Sequence, residues 1–153
     1  MKDITISTAT DVDPSELATL RVAAMRPSLE AMGRFDPDRA RMRFLATYDA
    51  QDTQVLRAGS ELIGFYVLRK RPDHLYLDHL YIQASHQGGG LGRAIVQSVQ
   101  DQARRSALPL RLMALRGSPA NDFYLSCGFH LERSDDLDNH YVWRHGPVPA
   151  QDA

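Results

Sequence analysis

A single cysteine, Cys127, is all the thiol chemistry in the chain. An internal disulfide framework is therefore excluded, and the composition fits a reducing compartment. No apolar run approaches the roughly 20 residues that a membrane span needs, and the opening MKDITISTAT has no signal-peptide core, so the expected location is the cytoplasm. Charge of one sign is also missing: 18 Lys and Arg against 19 Asp and Glu leave a formal −1. That balance removes the electrostatic footprint of a nucleic-acid binder, and the one basic tripeptide, Arg69 to Arg71, reads as a solvated hairpin end. The 6 histidines show no metal-ligand spacing, and with one cysteine a structural zinc site is not expected. Repeats and low-complexity segments are absent.

What is present suits one compact domain, expected over residues 1–145, in a chain of 153 residues with 43% hydrophobic content. Residues 146–153 read as a disordered tail.

ITIST alternates like a short strand. Asp13, Pro14 and Glu16 then spell a helix start, with a helix expected to about Met25, an interruption at Pro27 and a further helical turn stopped by Gly33. Asp36 and Pro37 repeat the start signal, and Phe44, Leu45 and Tyr48 fall on one face of the helix that follows. TQVLRA and ELIGFYVLR, separated by Gly-Ser, read as a tight antiparallel hairpin. In HLYLDHLYI the apolar parity changes: Leu75 and Leu77 share one face, Leu80 and Ile82 the other. A β-bulge at or beside Asp78 and His79 would bring both pairs to the same face, and a strand buried on both faces is the plainer alternative.

The segment SHQGGGLGRAI, residues 85 to 95, places four glycines at the head of an amphipathic helix whose stripe is Leu91, Ile95, Val99 and Ala103. LPLRLMAL is the next strand, and the strand, helix and strand together form a crossover that should make the two strands parallel. ANDFYLSC is one more short helix, ended by Gly128, and FHLERS and HYVWR look like a last pair of strands.

Each glycine costs roughly 0.5–1 kcal/mol of backbone entropy relative to alanine, so the run needs a steric reason. A strand feeding a glycine-rich turn into a helix N-terminus presents unpaired N–H groups, and without Cβ atoms phosphate oxygens can reach them. The P-loop spelling fails, because Arg93 and Ala94 follow Gly92. The dinucleotide fingerprint fails as well, because no third glycine falls in frame.

What fits is Q-x-x-G-x-G, with Gln87, Gly90 and Gly92, directly after an apolar strand. This segment resembles the acetyl-CoA-binding motif of the GNAT superfamily of N-acetyltransferases. Ala120, Phe123, Tyr124, Gly128 and Phe129 resemble the later signature of the same family, and the order of elements extends the likeness over nearly the whole chain. The resemblance implies an α/β fold: a mixed, mostly antiparallel sheet flanked by helices, its bulged fourth strand splayed from a parallel fifth. It implies acetyl-CoA as co-substrate, with the pantetheine arm along Leu80, Tyr81 and Ile82. The diphosphate would meet the segment Gln87, Gly88, Gly89, Gly90, Leu91, Gly92 and Arg93. Gly117 stands where the family commonly has a cofactor-binding asparagine, and Asn121 is the candidate replacement.

Acetyl transfer to an amine needs a neutral nucleophile, a stabilised oxyanion and a proton for the departing thiolate. By the same resemblance Tyr124 is the general acid; a phenol titrates near 10 in water and carries its proton at neutral pH. His79 and Asp78, at the inferred bulge, are the candidate bases, with a water chain or His140 as alternatives. Cys127, at a helix C-terminus where the dipole disfavours thiolate, reads as a packing residue. Arg21, Arg26 and Arg34 could hold a carboxylate-bearing acceptor and Asp135, Asp136 and Asp138 an ammonium group, or both sets are solvated surface. The expected acceptor is a small-molecule or peptide amine, with a homodimer as an allowed assembly. A non-catalytic acyl-CoA sensor and an enzyme for longer acyl chains are the rival readings.

Overall fold

The computed structural model describes residues 3–145; the expected C-terminal tail lies outside them. Strand β1 (Ile4–Thr8) leads to helices α1 (Pro14–Ala31) and α2 (Pro37–Ala46). Strands β2 (Thr53–Ala58), β3 (Glu61–Lys70) and β4 (Leu75–Ile82) follow. Then come α3 (Leu91–Ser106), β5 (Leu110–Leu115), α4 (Ala120–Ser126), β6 (His130–Ser134) and β7 (Asp138–Trp143). Among the described residues the strands form a mixed, mostly antiparallel sheet in the order β1-β2-β3-β4-β5-β7-β6. No helix there is long and apolar enough to cross a membrane.

The described residues divide into two compact units, 3–67 with His79–Gly89, and Leu68–Asp78 with 90–145. Strands β3 and β4 therefore contribute to both. The change of unit in β4 falls between Asp78 and His79, the dipeptide at which the apolar parity of the sequence changes. Burial in β4 marks Leu75, Leu77 and His79 as inward, while Leu80 and Ile82 are half-buried. His79 thus takes the inward place that the parity alone would have given to an apolar residue.

In the first unit, Asp13 caps α1 by accepting from the Ser15 amide at 2.9 Å, with Pro14 at the first helical position. The helix does not break at Pro27 as the sequence suggests. A proline deprives only the carbonyl four residues back, here that of Ala23, and both residues are exposed, so water can take that carbonyl. Gly33 does stop it: at φ +69° it lets the Gly33 amide reach the Glu30 carbonyl (3.0 Å) and the Arg34 amide reach that of Leu29 (2.8 Å). The core of this unit gathers Ala9, Leu17, Ala18, Phe44, Val55, Phe65 and Val67. Burying large apolar side chains such as Leu17, Phe44 and Phe65 contributes roughly 1.5–3 kcal/mol each.

Strands β2 and β3 pair antiparallel, with Leu56 opposite Gly64 and Arg57 opposite Leu62, so Ile63 is an extra residue in β3. Its carbonyl accepts from the Gln83 amide at 2.8 Å. Next to it, Gly64 lies so close to β4 that a Cβ would stand 2.4 Å from the Tyr81 carbonyl oxygen and 3.2 Å from Ile82 Cα. Both obstacles are backbone. Gly64→Ala is therefore expected to lower stability by roughly 1–3 kcal/mol, as overpacking does; a denaturation midpoint equal to that of the wild type would reject this tight approach.

In the second unit, β4 and β5 run parallel, in register at Leu75↔Leu110 and Tyr76↔Arg111. Helix α3 supplies the crossover and buries Ile95, Val96, Val99, Gln100 and Ala103, while Leu91 at its head is half-buried. Strand β7 pairs antiparallel with β5 along its whole length and with β6 on its other side. Tyr76 is largely removed from water, and burial, with help from Asp78 and Asp138, pushes its phenol up to about 12. A phenol whose folded pKa exceeds the ordinary value of about 10 stabilises the fold fully below that value, and the contribution disappears as pH rises from about 10 to about 12. Tyr76→Phe is expected to flatten the alkaline fall in stability across that window, which denaturant titrations at stepped pH would show.

Candidate active site

The glycine segment is built by its own backbone. A 3-10 turn, Ala84–His86, closes with the Gln87 amide on the Ala84 carbonyl at 3.2 Å. The Gln87 side chain donates back to the Ile82 carbonyl at 2.7 Å. Gln87 is thus the brace that ties the turn to the end of β4. Gly88 and Gly90 follow at φ +85° and +87°, where only glycine is at ease. Gly90 is the N-cap of α3 and offers no side chain to cap it; the first helical bond runs from Ala94 to the Gly90 carbonyl at 3.0 Å.

Among the described residues none accepts a hydrogen bond from the amides of residues 88 to 93. A Cβ placed on Gly88, Gly89 or Gly90 would meet nothing within 4 Å. No acidic side chain stands in the first turn of α3. A row of backbone donors with open space above it and the positive end of a helix dipole beneath it fits the diphosphate of coenzyme A.

The first unit also carries a polar cluster that the sequence did not announce. His79 is buried, 9% exposed, edge-on to Phe44 with ring centroids 5.3 Å apart. Its Nδ1 lies 2.9 Å from the Tyr81 hydroxyl. Arg21, from α1, donates through Nε to the same hydroxyl at 3.2 Å and through Nη1 to the Ala40 carbonyl. Met25 Sδ is 3.6 Å from that hydroxyl. Arg21 is thus an internal tie, whereas Arg26 pairs with Glu30 at 3.0 Å on the exposed face of α1. No sequence signal could have linked Arg21 to partners 19 and 60 residues away.

The second unit holds the other candidates. Asp78 faces Arg69, whose guanidinium is almost wholly buried, at 3.2 Å. That carboxylate is the counter-charge of a buried cation, a structural task that competes with service as a base. Asn121, the expected cofactor contact, is hydrogen-bonded within the protein. Its Nδ2 donates to the Leu115 and Ser118 carbonyls (2.8 and 2.9 Å), and its Oδ1 accepts from Asn139 (2.9 Å) and Tyr141 (2.7 Å). The amide is committed on both sides and ties α4 to the ends of β5 and β7.

Arg93 joins α3 to α4 through its side chain. Its guanidinium bonds Ser126 Oγ at 2.8 Å and the Ser126 carbonyl at 3.3 Å, capping the C-terminus of α4. Tyr124 is 8% exposed, with its ring held between Phe123 (5.2 Å) and Phe129 (5.6 Å). Burial pushes the Cys127 thiol up, against the pull of Arg93, so it is a poor thiolate. His140 binds Asp135 at 2.8 Å, and this bond, with the amides of Asp138 and Leu137, lowers the Asp135 carboxyl to about 2. That constellation fastens the β6–β7 turn, which explains both residues without an acceptor site.

The comparisons agree with this architecture. No curated protein matches the sequence. Among solved structures, the chain is similar to the PaiA N-acetyltransferase of Thermoplasma acidophilum in complex with coenzyme A, at 16% identity and TM-score 0.73, over 94% of this chain and 99% of that one. An acetyltransferase of Thermus thermophilus is 19% identical with TM-score 0.68, over 94% and 99%. N-acetylglutamate synthase of Neisseria gonorrhoeae, complexed with coenzyme A and N-acetyl-glutamate, is 19% identical with TM-score 0.66, over 94% of this chain and 35% of that one. At these identities the likeness is one of fold. The acetyltransferase (GNAT) family model matches residues 19–129, most of the described chain and both glycine-bearing signatures. The chain belongs to the acetyltransferase (GNAT) family, whose acyl donor is acetyl-CoA.

Proposed function

We propose that the chain is an acetyl-CoA-dependent N-acetyltransferase that moves an acetyl group to a primary amine of a small molecule or peptide, by direct attack in a ternary complex. The observation that carries this reading is the row of amides at residues 88 to 93, which lack an acceptor among the described residues and lie beneath open space. Backbone N–H groups only donate, so an anion is what they can hold. Coenzyme A accompanies the same fold in the Thermoplasma protein, which supports the assignment.

The donor, when bound, supplies an acyl group activated as a thioester. Gly88, Gly89, Gly90, Leu91, Gly92 and Arg93 would hold its diphosphate through their amides, and the main chain of Leu80, Tyr81 and Ile82 would hold the arm. Tyr124 keeps a phenolic proton for the leaving sulfur. His79 takes the proton that the acceptor ammonium must shed before its nitrogen can attack. It is preferred to Asp78 and His140 because Asp78 is paired with the buried Arg69 and His140 is hydrogen-bonded to Asp135.

Thiol release from acetyl-CoA with a panel of primary amines and short peptides tests the proposal. Release is expected only when an amine is present. Tight binding of coenzyme A with no release from any acceptor would favour a cofactor sensor, and longer acyl donors outpacing acetyl-CoA would change the acyl group assigned.

A further inference from the structure

Helix α4, which carries Tyr124, has 7 residues, too few to hold a helical shape without outside partners. Its N-cap, Pro119, supplies no side-chain bond. Its far end is held by α3. Arg93 and Gln100 stand two turns apart on one face of α3, and both reach the end of α4. Gln100, buried, donates through Nε2 to the Cys127 carbonyl at 2.9 Å. Arg93, exposed, donates to Ser126 Oγ at 2.8 Å and to the Ser126 carbonyl at 3.3 Å. The Ser126 hydroxyl gives its own proton to the Phe123 carbonyl at 2.6 Å. The directions are fixed by chemistry: a guanidinium only donates and a carbonyl only accepts, so the bonds run from Arg93 through Ser126 to Phe123. The guanidinium also lies over the Phe123 ring, 5.9 Å from its centroid, and Phe123 rests on Tyr124 with centroids 5.2 Å apart.

Arg93 therefore has its two ends in different parts of the site. Its amide closes the row of main-chain donors at the head of α3, and its guanidinium grips the turn that holds the acid. We infer that Arg93 is a positioning residue for acetyl transfer: its stem fixes the spacing between the diphosphate seat and Tyr124, so that the phenol meets the leaving sulfur when the donor is seated. This inference rests on the reading of the chain as an acetyl-CoA-dependent acetyltransferase with Tyr124 as the acid. A proton passes efficiently only across a hydrogen bond of about 2.6–3.2 Å between heavy atoms, and a misplacement of about 1 Å can cost a hundredfold in rate. A donor held by its diphosphate has its sulfur placed relative to the head of α3, so the acid must keep its own place relative to the same point. The guanidinium fork provides that reference, because two N–H groups on one serine restrain angle as well as distance. Gln100 anchors the same turn from beneath, where its burial makes it a stability residue. Arg93 and the whole of α3 and α4 belong to the second unit.

The test uses Arg93→Met in the full chain, which keeps the amide and most of the stem and removes the fork. Because the side chain is exposed, the melting temperature should stay near that of the wild type. The amides of Cys127 and Gly128 close the last turn on the Tyr124 and Leu125 carbonyls at 3.0 and 3.1 Å, and their hydrogen exchange should quicken in the variant. Turnover should fall roughly tenfold while coenzyme A affinity by calorimetry holds. Arg93→Lys keeps the charge without the fork and should recover little of that turnover. In a Tyr124→Phe background, Arg93→Met should cost no further turnover, since a residue that acts through the acid has nothing left to position. A purely structural bond would not show that dependence. Wild-type exchange at Cys127 and Gly128 in Arg93→Met, or a turnover loss undiminished in the Tyr124→Phe background, would overturn the positioning role while leaving acetyl transfer intact. A loss of coenzyme A affinity that Arg93→Lys restores would place the guanidinium on the phosphates and overturn it equally. Wild-type protein that releases no thiol with any amine would overturn acetyl transfer itself, and Arg93's part in it too.

Discussion

Gly90→Val and Gly89→Val are both expected to weaken coenzyme A binding by on the order of a hundredfold, through different balances of strain and obstruction. Charge-assisted hydrogen bonds contribute about 1.5–3 kcal/mol each, and a side chain standing over the amides would deny the diphosphate at least two of them. Gly90 sits at φ +87°, so a valine there also strains the apo chain, by roughly 1–2 kcal/mol. Gly89 is not among the positive-φ glycines, and its Cβ would enter open space. Gly89→Val should therefore keep the wild-type melting temperature while losing affinity, and Gly90→Val should lose some of both. Calorimetric titration with coenzyme A and thermal unfolding separate the two effects. Unchanged affinity in Gly89→Val would remove the support on which the enzymatic reading stands.

Turnover in Tyr124→Phe is expected to fall on the order of 10²-fold or more, the usual consequence of removing a positioned acid. The aromatic ring is retained, and so are its contacts with Phe123 and Phe129. Stability and coenzyme A affinity should therefore stay close to wild type, which confines the loss to kcat. Thiol release under saturating substrates gives the number directly. Equal turnover would reassign Tyr124 to packing, a role for which its low exposure already qualifies it.

Much of the fold is legible in the sequence because its signals are local. Asp13 with Pro14, and Asp36 with Pro37, start helices through bonds that span two or three residues. Gly33, Gly59 and Gly128 stop elements or turn the chain at positive φ. The crossover between β4 and β5 follows from the spacing of strand, helix and strand, since parallel neighbours need a long connection. The glycine run was readable for the same reason: the absence of Cβ atoms is written in the residues themselves.

Other features depend on partners distant in the chain. Helix α1 runs through Pro27 because the cost of a lost N–H depends on whether water can reach the abandoned carbonyl, which is a matter of exposure. Strand β7 lies between β5 and β6 because its ladder matches β5 residue for residue, from Leu110↔Trp143 to Leu115↔Asp138, and no hairpin signal encodes that choice. Asn121 has the right chemistry for a cofactor contact, yet Leu115, Ser118, Asn139 and Tyr141 consume it. Asp78 and His79, adjacent in sequence and equally eligible as bases, receive opposite environments: one faces a buried guanidinium and the other a phenol held by Arg21.

By itself, then, the sequence determined the family, the order of elements and the glycine turn at the head of α3, because backbone conformation and missing side chains act over a few residues. Only the tertiary structure decided which side chains meet, such as Arg21 with Tyr81 and Asp78 with Arg69. Those properties belong to hydrogen-bond partners that folding brings together across dozens of residues.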